Sequence, residues 1–177
     1  SYKNTYNSKI SKVKVSGQRH TSSYIYQLER QIISILLKYG AEEIQFEDII
    51  LNKGEDGKLV EIKKNIRSKV FEKIYLDLQQ DEIEFTHSPF KIIYKNLIDS
   101  FHNQESVSID NFINDLDSNS SKIVSDILIN DDKYQLHDWE RKNIYVKKIG
   151  SELSQLVNET ILNMLSLIHI SEPTRPR

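Results

Sequence analysis

From Ser23 onward the apolar positions recur at three- and four-residue spacing, the repeat of an amphipathic helix. Leu28, Ile32, Ile35, Leu36 and Tyr39 share one face, and the pattern stops at Gly40, which predicts a helix over about Tyr24 to Tyr39. Ile66, Val70, Ile74 and Leu78 predict a second helix from about Ile62 to Gln79. Phe90, Ile93, Tyr94, Leu97, Ile98 and Phe101 predict a third from Ser88 to about His102, with Ser88 as N-cap and Pro89 at the first helical position. Ile83 and Phe85 lie between these two as plugs. The segment from Ile66 to Phe101 reads as a helical hairpin on which the remaining helices pack.

Further on, Ser108 caps a short helix to about Leu116, and Ser118 to Ser121 open another that ends near Ile129, where Asn130, Asp131 and Asp132 break it. Tyr134 to Trp139 form a short helical turn. A long amphipathic helix then starts at Val146 and carries Ile149, Leu153, Leu156, Val157, Thr160, Ile161 and Met164. Ile44 to Leu51 and Lys58 to Ile62 flank a polar stretch with two glycines, Gly54 and Gly57, and fit either a small β-hairpin or a helix end with a loop. The expected fold class is all-α: a helical bundle followed by a long C-terminal helix, with the 44–62 hairpin left open.

Three regions are expected: a flexible basic linker over 1–21, a helical domain over 22–164, and a tail over 165–177 foreign to the pattern. Leu165 to Arg175, LSLIHISEPTR, match a translated transposase sequencing adapter residue for residue, so the native chain is expected to depart before them. The linker holds Lys3, Lys9, Lys12, Lys14 and Arg19 with no acid, against a net charge of −2 for all 177 residues, which makes the body acidic. Such an arm suits weak contact with nucleic acid phosphates, and a nucleic-acid-binding helical protein is the alternative reading of function; a solvated linker is the plainer one.

Composition removes several chemistries. With no cysteine there is no disulfide, thiolate nucleophile or cysteine-ligated metal. No glycine-rich phosphate loop, HExxH or GxSxG occurs. His137-Asp138 lacks the further histidines of a metal-dependent phosphohydrolase, and Asp81, Glu82 and Glu84 fall where solvated acids end a helix. No catalytic, cofactor-binding or metal-binding residue is assigned, and no cofactor is expected. No membrane-spanning run is present, so a cytoplasmic location is expected. What remains is apolar surface at the start of the last helix. Tyr145, Val146, Ile149, Leu153 and Leu156 are the candidate partner-binding residues.

Three stretches carry a family resemblance: YQLERQIISILLKYG from Tyr26 to Gly40, the DxIEFxxxxFxxIYxxL run from Asp81 to Leu97, and YQLHDWERKNIYV from Tyr134 to Val146. In order and spacing they resemble the C-terminal region of bacterial DnaG-type DNA primases, especially those of Bacteroidetes, over about Tyr24 to Met164. The resemblance implies an all-helical bundle and helical hairpin that dock the primase on the hexameric DnaB-type replicative helicase. It implies that the zinc-binding and Toprim polymerase regions lie upstream: the parent protein is a primase, and this fragment synthesises no primer. The final helical hairpin would be truncated at the adapter junction.

Overall fold

In the computed structural model the backbone is described for residues 2–104, 107–142 and 149–171, and side chains within 21–104, 107–130 and 150–168. Six helices and two strands follow in the order α1 (Tyr2–Tyr39), β1 (Glu43–Lys53), β2 (Leu59–Lys69), α2 (Val70–Gln80), α3 (Ser88–Asn103), α4 (Ile109–Asp115), α5 (Ser118–Lys142) and α6 (Ile149–Ser171). The all-α expectation is therefore corrected to a mixed α and β fold, in which an antiparallel ribbon of two eleven-residue strands stands beside the helices.

The ribbon takes residues 62–69 from the helix expected there. Ile62, Ile66, Val70, Ile74 and Leu78 keep a four-residue spacing across the junction, so the apolar pattern alone continues a helix through it. At period two, however, Ile62 and Ile66 fall on one side of a strand, opposite Ile50 and Phe46. The pairing across the chain wins because it puts Phe46 fully inside. β2 runs directly into α2, whose first amides are taken by the loop after α1: Val70 N–H donates to Glu42 O and Phe71 N–H to Gly40 O, both at 3.0 Å.

The organising element is α1, not the hairpin of α2 and α3. It buries Leu28, Ile32, Ile33, Ile35, Leu36 and Leu37, more than one face, and packs against α2, α3, α5 and α6. The helix predicted from Tyr24 extends back to Tyr2 in backbone, so the lysines and arginine of the basic arm sit on its first half, with side chains outside the described residues. Against its second half lie Ile74 and Leu78 of α2, the apolar face of α3, Val124 and Ile127 of α5, and Leu153, Val157, Ile161 and Met164 of α6.

Helix boundaries differ from expectation where a non-local partner or a neighbouring cap decides. The N-cap of α3 is His87, and Ser88 is already helical. The start of α5 is held by Asp117, whose Oδ1 accepts the amides of Asn119 and Ser120 at 3.0 and 3.1 Å; the Ser120 hydroxyl, together with these amides, holds its carboxyl below the usual range. Asn130 to Asp132 do not break α5, which continues to Lys142 and absorbs the turn expected over Tyr134 to Trp139. α6 continues through Leu165, Leu167 and Ile168, which pack partly against the core. Among the described residues no helix is long and apolar enough to cross a membrane.

α2 ends in a Schellman motif with an unusual residue. Glu82 N–H donates to Gln79 O, Ile83 N–H to Leu78 O, and Glu82 takes a positive φ of 53°. That reversal turns the chain inward, so that Ile83 and Phe85 enter the core as the sequence pattern expected.

Candidate interaction surfaces and the polar clusters behind them

Two polar clusters fix the body of the molecule. The first is Glu29, a carboxylate on the apolar face of α1 that is fully buried. It accepts the backbone N–H and the hydroxyl of Thr86 on Oε1, and the backbone N–H of His87 on Oε2. His87 Nδ1 lies 2.7 Å from the same Oε2, a contact that needs one proton, carried by the ring while the carboxylate is ionised. Glu29 thus supplies from another helix the negative charge that an N-terminus attracts, since neither His87 nor Ser88 caps α3 with its own side chain. Tyr26 closes over the pair, its ring 5.0 Å from those of both His87 and Phe90. Glu29 escaped the sequence reading, although its spacing with Ile32, Ile33 and Leu36 placed a charge on a buried face, which was the available signal.

The second cluster ties the ribbon to α2. Lys73 Nζ lies 2.9 Å from both Asp48 Oδ1 on β1 and Asp77 Oδ1 one turn along α2, with its charge 6.0 Å from the Phe46 ring centroid. Burial works against the ammonium, yet the hydrogen bonds and charges of the two aspartates outweigh it and hold the Lys73 pKa above its ordinary value. Lys73→Met leaves two carboxylates facing each other over an apolar base and is expected to cost about 2 kcal/mol near neutral pH. Because the folded pKa is raised, this contribution is complete below the ordinary value of 10.5 and disappears as pH climbs through the higher folded value. Urea midpoints of the two proteins should therefore stay apart from pH 7 to 10 and converge above; a gap that closes below pH 10 contradicts the assignment.

Beyond these anchors the ribbon leaves the body. Phe46 is buried and Ile66 half-buried at its base, but the distal half exposes aliphatic side chains on both faces. Ile49, Leu51 and Leu59 are 63, 60 and 68% exposed on one face, and Ile50, Val60 and Ile62 line the other. The turn beyond them, Gly54 to Lys58, is polar and takes Gly57 at a φ of 78°. An apolar belt set below a polar tip suits a protein surface along its sides better than insertion into lipid, which the tip would have to enter first.

The other candidate residues are distributed unevenly. Tyr145 and Val146 lie outside the described residues, and Ile149 does so for its side chain. Leu153 points inward at 6% exposure, so it packs within the domain, not on a partner, while Leu156 is 37% exposed and Leu162, farther along α6, is more open. The side chains of His137 and Asp138 are also outside the described residues. Of the acids near Asp81, Glu84 pairs at the surface with Lys91 Nζ at 2.9 Å, which holds its carboxyl below the usual range, and Asp81 is the C-cap of α2. No group of three or more metal-ligating side chains converges among the described residues. A groove of about 690 Å³ runs between the basal half of β1 and the first turns of α6, lined by Glu43, Gln45, Glu47, Ser154, Gln155 and Asn158 among others.

A family model described as "Domain of unknown function (DUF8430)" matches residues 16–168. Searches of curated proteins and of solved structures return no match.

Proposed function

Because the chain belongs to the DUF8430 family, for which no activity is described, we propose its function from its own surfaces: it is a docking module that works by binding another protein. The observation that carries this reading is the ribbon, which holds six aliphatic side chains away from the core on an arm braced by Lys73, Asp48 and Asp77. Burying such side chains in a dry interface contributes about 1.5–3 kcal/mol each at full burial, a driving force the isolated chain does not use.

For the partner we propose the DnaB-type replicative helicase, with the chain serving as the C-terminal part of a DnaG-type primase in the cytoplasm. The support is the three-stretch resemblance. The first two of those stretches are joined in space by the bonds of Glu29 to Thr86 and His87, so they behave as the signature of one folded body. Docking would raise the local concentration of primase at the unwound strand, an effect that needs no catalytic group in this chain. Exposed leucines along α6, Leu156 and Leu162, are the second surface offered to the helicase.

Calorimetric titration of the helicase N-terminal domain from a related bacterium into the chain tests the assignment. Saturable binding with a negative heat-capacity change is expected. Absence of heat across several such helicases would remove the helicase and leave a docking module for another protein.

A further inference from the structure

The outer edge of β1 carries information that its faces do not. Among the described residues the sheet has two strands, and an isolated ribbon is marginal in water without further strands or a covering layer. Pairs along an antiparallel ladder alternate between bonded and non-bonded. Gly54 N–H donates to Lys58 O at 2.8 Å, so the even-numbered residues of β1 are the bonded ones, and the amides of Glu47, Ile49, Leu51 and Lys53 point outward. In agreement, the Lys53 N–H is taken by its neighbour's Asn52 Oδ1 at 3.0 Å. The two edges are not alike. β2 ends in Lys63, Lys64, Arg67 and Lys69, the charges that protect an edge from pairing, whereas Ile49, Ile50 and Leu51 are consecutive on β1 with no proline nearby.

We propose that β1 pairs antiparallel with β1 of a second copy, about a two-fold axis through Ile50. A two-fold axis perpendicular to a sheet keeps side chains on their own face, so odd-numbered residues must meet odd-numbered ones, which are those with outward amides. In this register Glu47 lies opposite Lys53 of the second copy, Asp48 opposite Asn52 and Ile49 opposite Leu51, each pair occurring twice. Shifting the axis to Leu51 sets Glu47 against Glu55, and shifting it to Ile49 sets Leu51 against Glu47, so neither neighbour is as complementary. Across the four strands one face then reads Ile62, Ile50, Ile50, Ile62, and the other Glu61, Leu51, Ile49, Lys63. The same register carries the second copy's turn, Gly54 to Lys58, alongside residues 42–46, next to the groove between β1 and α6. The outer faces of the ribbon stay available, so this pairing is independent of the helicase reading and is tested on the chain alone.

Sedimentation equilibrium of the full chain is expected to show a dimer at about 100 μM. Lys53→Glu or Glu47→Lys sets like charges opposite each other twice and should weaken the dimer about tenfold or more. Mixed together, the two variants restore opposite charges at both positions and should associate one to one. The chain has no cysteine, so Ile50→Cys is a clean reporter. A non-bonded antiparallel pair brings Cα atoms to about 4.5 Å, within disulfide reach, and this variant should cross-link to a covalent dimer on mild oxidation while Ile62→Cys should not. A monomer at that concentration, a dimer indifferent to Lys53→Glu, or cross-linking through Ile62→Cys and not Ile50→Cys would overturn the proposal.

Discussion

Glu29→Ala is expected to be the most damaging single substitution in the described body, lowering stability by about 3 kcal/mol. The carboxylate is fully buried and is the shared acceptor for Thr86 and His87. Its removal strands these donors at the mouth of α3, withdraws the charge facing that helix terminus, and leaves a void. Thr86 is exposed and His87 half-buried, so water recovers part of the loss, which keeps the figure at the lower end of the range for breaking a buried pair. Glu29→Gln separates the contributions. One amide oxygen still serves two donors, but the amide nitrogen meets the His87 N–H, and the expected cost falls to about 1–2 kcal/mol. Urea denaturation measures both through the midpoint at unchanged slope. Equal stability of Glu29→Ala and the parent would mean that the cluster holds nothing together.

Gly40→Ala is expected to cost about 2–3 kcal/mol, although it adds one methyl group. Gly40 does not have a positive φ, so its role is space and not backbone freedom. A Cβ there would overlap the edge of the Phe101 ring and crowd Leu36 O. The ring cannot retreat easily, because it stacks on Phe71 at 4.9 Å between centroids and 10° between planes. The Gly40 carbonyl is also bonded to Phe71 N–H, so the backbone cannot shift without disturbing the start of α2. The double variant Gly40→Ala with Phe101→Leu should recover part of the loss if the ring is the obstacle. Should Gly40→Ala alone leave the urea midpoint in place, the close approach of α1 and α3 at this point would be wrong.

These two positions also mark how far the sequence could be read. The stop at Gly40 and the start of α3 at Ser88-Pro89 were legible because each is set by residues within one turn of the boundary. The buried faces of α1, α3 and α6 were legible for the same reason, as a spacing within one element. The end of α2 at Gln80 was legible too, but its start was not. Ile62 and Ile66 belong to β2 only because Ile50 and Phe46 lie opposite, and that pairing is invisible in a local window whose four-residue spacing suits a helix. The run through Asn130 to Asp132 is a different case: three residues that favour a break locally are carried in the helix by the continuation of α5 on both sides. Of the candidate surface, Leu156 is partly exposed and Leu153 faces the core; of the two readings left open over 44–62 the structure takes the β-hairpin, but its exposed aliphatic belt was not among the candidates. Glu29 and His87 are 58 residues apart, and no spacing rule joins them.

The central claim is that the ribbon is the arm by which the chain binds, and one comparison tests it most directly. The partner is titrated against the intact chain and against a chain in which residues 49–63 are replaced by Asn-Gly, which closes the hairpin on the Asp48–Lys64 pair below the apolar belt and leaves Phe46, Asp48 and Lys73 in place. The helicase N-terminal domain is the titrant, and the urea midpoint of each protein confirms an intact body. The account predicts that the intact chain binds and that the shortened one loses at least about tenfold in affinity. Equal affinity of two equally stable proteins would contradict it and move the interface to α6.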